Sequence, residues 1–318
     1  MRIQTVSPMV GRASELGDLR AAAAEAHDGS PRIVVIGGEA GIGKSRLVDE
    51  FVGGLDGDVV VARGQCVEFG AVGLPYAPLV GVLRDLVASV GTDTVLTAAA
   101  GGAPTLRGLV EDRTPLERDE RLGFDRLDEV VTTILERLSA ERDVVAVIED
   151  VHWADLATLD VLRFLARMLR SGRLLVVLSY RTDDIGRGHP LRGLLGEFER
   201  NRRVSRVLLT RLDAGEVRAQ LEGLLGSVPS ADQARAVFER SEGVPFFVEE
   251  LVGCGGQLEG GVPETLRELL LARYEALSPA SRRVVRALAA GGGRTDHEIL
   301  AEVVAGSADE LDSALREA

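Results

Sequence analysis

The sequence predicts an α/β protein with a five-stranded parallel sheet covered by helices on both faces, followed by a helical region without strands. Three observations carry this. Short apolar runs alternate with amphipathic stretches as far as residue 212. The runs are apolar at successive positions, as strands are when helices cover both faces of a parallel sheet. One of them, Ile33-Val34-Val35-Ile36, leads into a glycine-rich segment and then into a helical pattern.

In chain order, residues 14–27 place Leu16, Leu19, Ala22, Ala23 and Ala26 on one helical face. A strand over 32–37 and a helix over 44–54 follow. The helix carries Leu47, Val48, Phe51 and Val52 on one side. A second strand is expected at 58–63 and a helix at 77–90. The stretch 97–118, rich in Ala, Gly, Pro and Thr, reads as an irregular insertion. A long helix over about 120–140 turns Leu122, Leu127, Val130, Ile134, Leu135 and Leu138 inward. Then come a strand at 144–149, a helix at 156–170, a strand at 174–180, a helix near 190–200 and a strand at 204–209.

Beyond Leu212 only helical patterns remain, at 213–226, 230–241, 245–253, 263–276 and 279–290. Breaks fall at Pro229, Gly243, Gly255-Gly256, Gly260-Gly261 and Pro279. The expected domains are an α/β domain over 1–212, a helical lid domain over 213–278 and the start of a further domain over 279–318. Helices near 281–290, 296–305 and 308–317 belong to the last. The sequence stops at Ala318 inside an amphipathic pattern, as a piece of a longer protein would.

Composition narrows the function. The 318 residues are 45% hydrophobic and 27% charged, the balance of an ordinary globular chain. A formal charge of −13 argues against gripping a nucleic-acid backbone, which needs clustered Lys and Arg. The short patch Arg200, Arg202 and Arg203 reads as a solvated helix end. Cys66 and Cys254 lie far apart with no C-x-x-C spacing, so neither a zinc site nor a disulfide framework is implied. No apolar run of 18 residues and no signal-peptide pattern occurs, so a cytoplasmic protein that does not span a membrane is expected.

Gly38-Glu39-Ala40-Gly41-Ile42-Gly43-Lys44-Ser45 is a full G-x-x-x-x-G-K-[ST] phosphate loop in its strand–loop–helix context. Glycines let the loop curl so that successive amides point at phosphate oxygens. The new helix adds unpaired N–H groups and its positive dipole end. Lys44 brings a point charge to the β- and γ-phosphates, and the Ser45 hydroxyl is placed to ligate Mg²⁺. Arg46 follows in the first helical turn. These residues predict a P-loop NTPase.

An acidic partner is expected on a neighbouring strand. Val144 to Ile148 ends in Glu149-Asp150, and ligands of parallel sheets bind at that edge. One carboxylate orients the metal and the other polarises the attacking water. Order assigns Glu149 to the metal and Asp150 to the base, with the reverse open. Arg181, at the end of the 174–180 strand, would sense the γ-phosphate or stabilise transition-state charge. The alternative is an ion pair with Asp183 or Asp184. His152 lacks a second ligand at metal spacing and is expected to pack or hydrogen-bond behind the site. Trp153 is expected in the core, and Cys66 has no adjacent base to make it a nucleophile. No N-K-x-D segment reads guanine, which favours adenine.

The order of motifs is specific: Val10-Gly11-Arg12-Ala-Ser-Glu15, the phosphate loop, Pro75-Tyr76, Glu149-Asp150-Val-His152-Trp153-Ala-Asp155, Tyr180-Arg181, and Glu242-Gly243-Val-Pro245-Phe246-Phe247-Val-Glu249-Glu250-Leu251. It resembles the N-terminal ATPase module of the large ATP-binding LuxR-family transcriptional regulators, in the STAND class of signalling NTPases related to AAA+ proteins. The resemblance implies that Gly11 and Arg12 line adenine and ribose. It implies that the turn at Pro245 closes over the nucleotide, and that residues from about 279 begin a winged-helix domain. The cofactors would be ATP or ADP with Mg²⁺. The module would switch between a closed ADP state and an oligomerising ATP state, with slow hydrolysis resetting it. DNA would be reached only through a domain that this sequence lacks. Two departures are Glu149-Asp150 in place of Asp-Asp and Gly-Val-Pro in place of Gly-Asn-Pro. The rival readings are a motor-type AAA+ ATPase and an ADP-locked scaffold that never cycles.

Overall fold

The computed structural model describes residues 9–67, 75–102, 127–253, 271, 274–275, 277–290, 300 and 314–315. They fall into two compact units, divided after Phe246.

The first unit is built on β1 (Arg32–Gly38), β2 (Val60–Gln65), β3 (Val144–Glu149), β4 (Leu174–Arg181) and β5 (Val204–Leu208). Its sheet order is β2-β3-β4-β1-β5 and every pairing is parallel. The chain leaves β1 for the far edge, returns through β3 and β4, then passes over β1 to β5. β1 therefore lies between β4 and β5, and the loop after it opens where strand order switches, the position at which open parallel sheets bind ligands.

Side chains alternate along each strand, so β1 serves two cores. Ile33 and Val35 pack with α3 (Ala77–Val90), α4 (Thr92–Ala99), α5 (Leu127–Glu141), α6 (Leu156–Met168) and α7 (Pro190–Phe198). Val34 and Ile36 pack on the other face with α1 (Ala13–His27) and α2 (Lys44–Gly53). Burying each Leu, Ile or Val contributes on the order of 1.5–3 kcal/mol, so this two-faced seating holds β1 and the loop that follows it. The expected parallel sheet with both faces covered is what the chain forms.

Boundaries differ in physically explicable ways. β2 runs to Gln65, two residues past its expected end, because pairing with β3 continues to Glu149 after the apolar run stops. Residues 92–99 form a helix where irregular structure was expected from 97 onward. Val95, Ala98 and Ala99 are buried against the first core, so packing overrides weak propensity. Residues 103–118 and the start of the 120–140 helix lie outside the described residues.

After β5 come α8 (Ala214–Leu225), α9 (Ala231–Ser241) and α10 (Pro245–Gly253). The first two open with capping boxes, Asp213 with Glu216 and Ser230 with Gln233. In the second unit, Val284 of α11 (Pro279–Ala290) packs with Leu300 and Ala314. Most of the expected helices at 263–276, 296–305 and 308–317 lie outside the described residues.

The first core yields a stability prediction. Leu162 of α6 is 1% exposed. Leu162→Ala should lower stability by about 2–5 kcal/mol, read as an earlier chemical-denaturation midpoint; an unchanged midpoint would contradict this packing.

Candidate functional site

The phosphate loop is curled at the C-terminal edge of the sheet. Gly41 (φ +76) and Gly43 (φ +99) adopt left-handed backbone that other residues reach only with strain. Lys44, 7% exposed, opens α2 and turns back over the loop. Its Nζ donates to the carbonyls of Gly38 (2.9 Å) and Glu39 (2.8 Å). Burial lowers the pKa of this ammonium, while the charges of Asp150 and Asp183 oppose the shift. The Ala40 amide donates to Asp183 Oδ2 at 3.4 Å, so one loop amide already meets an anionic oxygen.

The strand-end carboxylates are in register with this loop. Ser45 Oγ donates directly to Glu149 Oε2 across α2 and β3. Arg63 Nη1 lies 3.9 Å from Glu149 Oε1 and 2.6 Å from Asp49 Oδ1. Asp150 sits in left-handed backbone (φ +56), strained for a non-glycine residue, and its amide donates to Ser179 Oγ (3.1 Å). Its Oδ2 accepts from Gln65 Nε2 at 2.7 Å. A hydroxyl and two carboxylates supply hard oxygen donors of the kind Mg²⁺ takes alongside phosphate and water. The described residues hold no His/Cys/Asp/Glu cluster large enough to cage a metal by itself.

Arg181 ends β4 beside these groups. Its Nε is 3.9 Å from Asp150 Oδ1, its Nη1 is 3.7 Å from Asp184 Oδ2, and its guanidinium carbon stacks 4.7 Å from the centre of the Trp153 ring. Trp153 is thus partly packed on the core and partly a platform for Arg181, more than the core residue expected from sequence. The side chain of His152 is fully buried. Its Nδ1 accepts from the Arg181 amide (3.4 Å), and its Nε2 lies 3.2 Å from Asp184 Oδ2 without hydrogen-bond alignment. Burial pushes its pKa down to about 4 against the opposing pull of Asp150 and Asp184, so the ring is neutral at pH 7.

A second wall is built from sequence-distant parts. Arg12 is 6% exposed and donates to the carbonyls of Thr210 (2.6 Å) and Ile42 (3.4 Å). It lines a hollow of about 30 Å³ together with Val10, Ile42, Arg46, Leu212 and Pro245. Gly11 does not border this hollow; it packs on the Glu216 side chain of the α8 cap. Gly243 (φ +78) turns the chain so closely over Leu212 that a Cβ would strike the Leu212 carbonyl. The Phe246 amide then donates to Gly41 O (3.2 Å), and Gln220 Nε2 to Pro245 O (3.2 Å).

Arg211 joins loop and turn. Its Nε and Nη2 donate to the Glu39 carboxylate at 2.9–3.2 Å, and its Nη1 to Glu242 Oε2 at 2.5 Å. Those hydrogen bonds, Glu39 foremost, raise its pKa further, so the charge is permanent. Sequence reasoning missed both Gln65 and Arg211. For Gln65 the available signal was a polar residue ending the strand beside Glu149-Asp150. Arg211 carried only its place just after a strand.

The sequence profile of the AAA ATPase domain matches residues 8–178, more than half of the chain and the whole phosphate loop, Glu149 and Asp150. The chain belongs to the AAA ATPase domain family. An uncharacterised protein of Rhizobium meliloti (strain 1021) is 25% identical over 90% of this chain, which spans 30% of that relative's length. Among solved structures, the Walker-type ATPase of Pyrococcus abyssi aligns over 97% of this ATPase chain and 89% of its own, at 15% identity and a TM-score of 0.57. A Signal Transduction ATPase with Numerous Domains protein of Pyrococcus horikoshii, which has a tetratricopeptide repeat sensor, covers 100% of the chain and 41% of its own at 17% identity and a TM-score of 0.45. The Pyrococcus abyssi likeness shows the P-loop NTPase fold. Among the described residues no helix is long and apolar enough to cross a membrane.

Two outcomes test this geometry. Cys66 is buried and its thiol is pushed up to about 12, first by burial and then by Asp155 and Asp150. At pH 8 iodoacetamide should leave it unlabelled until the chain is unfolded, read by peptide mass spectrometry; prompt native labelling would contradict that environment. Gly243→Ala should destabilise by about 1–3 kcal/mol through a strained backbone, before the clash with Leu212 is counted. A neutral calorimetric melt would refute the turn.

Proposed function

We propose that this ATPase domain is a Mg²⁺-dependent signalling switch of the STAND type, part of a cytoplasmic transcriptional regulator, that binds ATP and ADP and hydrolyses ATP slowly. One observation carries the catalytic part: the Ser45–Glu149 hydrogen bond puts the loop that would wrap the phosphates against the strand end that would hold the metal. The regulatory part rests on the motif order from Val10-Gly11-Arg12 to Gly243-Val-Pro245.

In this reading the amides of Gly38 to Ser45 receive the phosphate oxygens, and Lys44 exchanges its two carbonyl partners for the β- and γ-phosphates. Ser45 with Glu149 or Asp150 would hold Mg²⁺, which offsets charge on the β- and γ-oxygens. Asp150, oriented by Gln65, takes the proton of the attacking water, with Glu149 on the metal side. Arg181 stabilises charge at the γ-phosphate, backed by the Trp153 face.

The hollow beside Arg12 is the adenine pocket. At about 30 Å³ it has room for roughly one water, so a purine enters only as its walls part. Pro245 and Gln220 form the movable wall, and residues 213–278 act as a lid ahead of a winged-helix segment. Arg211 carries the state of the phosphate loop to that lid through Glu39 and Glu242. ATP and ADP then need only differ in affinity for the open and closed arrangements to shift the balance.

Single-turnover hydrolysis with parallel binding measurements tests the assignment. Lys44→Ala should weaken Mg-nucleotide binding roughly tenfold or more. Asp150→Asn and Glu149→Gln should bind ATP but lose on the order of 10²-fold or more in turnover. Wild-type behaviour in all three would sink the site. Rapid steady-state turnover would favour a motor, and tightly held ADP without turnover a locked scaffold.

A further inference from the structure

A basic groove lies at the opposite edge of the sheet from the phosphate loop. Arg163 and Arg167 reach it from α6. Arg200, Arg202 and Arg203 reach it from the connection that feeds the N-terminal end of β5. The concavity measures about 380 Å³, within the range of small-molecule sites. The strand length of β1, roughly 20 Å at ~3.3 Å per residue, separates it from the nucleotide site.

Five guanidiniums line this space and Glu197 supplies its one carboxylate. Glu197 is divided between Arg163 Nε (2.9 Å) and Arg167 Nη2 (2.7 Å), and Arg163 also pairs with Asp160 outside the groove. The side chains of Arg200, Arg202 and Arg203 make no hydrogen bond or ion pair among the described residues. Their backbone is nonetheless tightly set. Asn201 Nδ2 donates to Ala166 O (2.9 Å), Asn201 Oδ1 accepts from the Arg203 amide (3.0 Å), and Arg202 O accepts from Arg32 Nη1 (2.8 Å). The arginines are thus presented from a fixed frame rather than from a loose helix end.

Concentrating cations this way costs mutual repulsion, in a chain whose overall charge is −13. An anion between them removes that cost. Guanidinium forks match the tetrahedral oxygens of phosphate, and two or more such forks suit a dianion or higher. A long polyanion fits less well. The chain's net negative field opposes it, and the only aromatic residue in the lining, Phe198, is 4% exposed and offers no platform for a base.

We propose that this groove is a second anion site that takes a compact phosphorylated ligand bearing at least two negative charges. It is independent of the phosphate loop and would let such a metabolite bias the domain from the far end of β5. The Arg patch, on sequence alone a solvated helix end, becomes half of the site once α6 supplies the other half.

Calorimetry with pyrophosphate on the intact chain tests this. Lys44→Ala weakens the loop as a competing site, and the part of the remaining heat that depends on Arg200, Arg202 and Arg203 reports the groove. That variant should still bind pyrophosphate, with affinity falling as salt rises. Adding Arg200→Ala, Arg202→Ala and Arg203→Ala should weaken the remaining binding roughly tenfold or more. The milder pair Arg202→Gln and Arg203→Gln should weaken it in part, guarding against a folding defect. With Lys44 intact, the groove variants should keep their affinity for Mg-ADP, which separates this outcome from failure of the loop assignment. No pyrophosphate heat in Lys44→Ala, heat undiminished by the arginine changes, or tighter capture of a short oligonucleotide by the same arginines would overturn the proposal.

Discussion

A buried ammonium organises the working edge of this protein. Lys44 leaves water to lie on the carbonyls of Gly38 and Glu39, and those two bonds close the loop into a ring. The arrangement is affordable only because the loop is anchored at both ends. β1 is clamped between β4 and β5 with a core on each face, and α2 is seated on Val34 and Ile36 through Leu47, Val48 and Phe51. A charge desolvated in this way needs partners, and the loop carbonyls and the residues at the ends of β3 and β4 supply or balance them.

Around Lys44 the sheet edge alternates in sign. Asp150, Asp183 and Asp184 oppose the loss of charge that burial imposes, and Arg181 works against them. His152 lies amid these groups yet stays neutral, because desolvation outweighs the carboxylates beside it. Its ring therefore acts as a hydrogen-bond acceptor for the Arg181 backbone rather than as a cation. Gln65 holds one oxygen of Asp150, whose backbone is left-handed. Such local strain persists where surrounding structure over-determines it, a common property of functional sites.

The connection from β5 links this edge to the helices that follow. Gly243 lets the 242–245 turn lie against Leu212, Phe246 bonds to Gly41, and Arg211 grips Glu39 and Glu242 together. A loop that changes shape on meeting phosphate would disturb both of its own contacts here, Gly41 with Phe246 and Glu39 with Arg211. Coupling through packed, hydrogen-bonded segments with alternative arrangements is the physical content of a switch.

The sequence alone determined the sheet, its two covered faces and the loop, because all three are written in local periodicity and in one contiguous motif. Glu149-Asp150 and Arg181 were legible for the same reason: each ends an apolar run, and parallel strands bring their C-terminal ends to one edge. Only the tertiary structure decided what lies across that edge. Gln65 meets Asp150 because β2 and β3 pair in register beyond the apolar pattern. Arg12 turns to the Thr210 carbonyl rather than into open space. Arg211 finds Glu39 from 172 residues away. Arg163 and Arg167 join Arg200, Arg202 and Arg203 only through the packing of α6 beside α7. Side-chain partnerships across such separations leave no periodic trace in a single chain, since nothing local constrains which residue will face which.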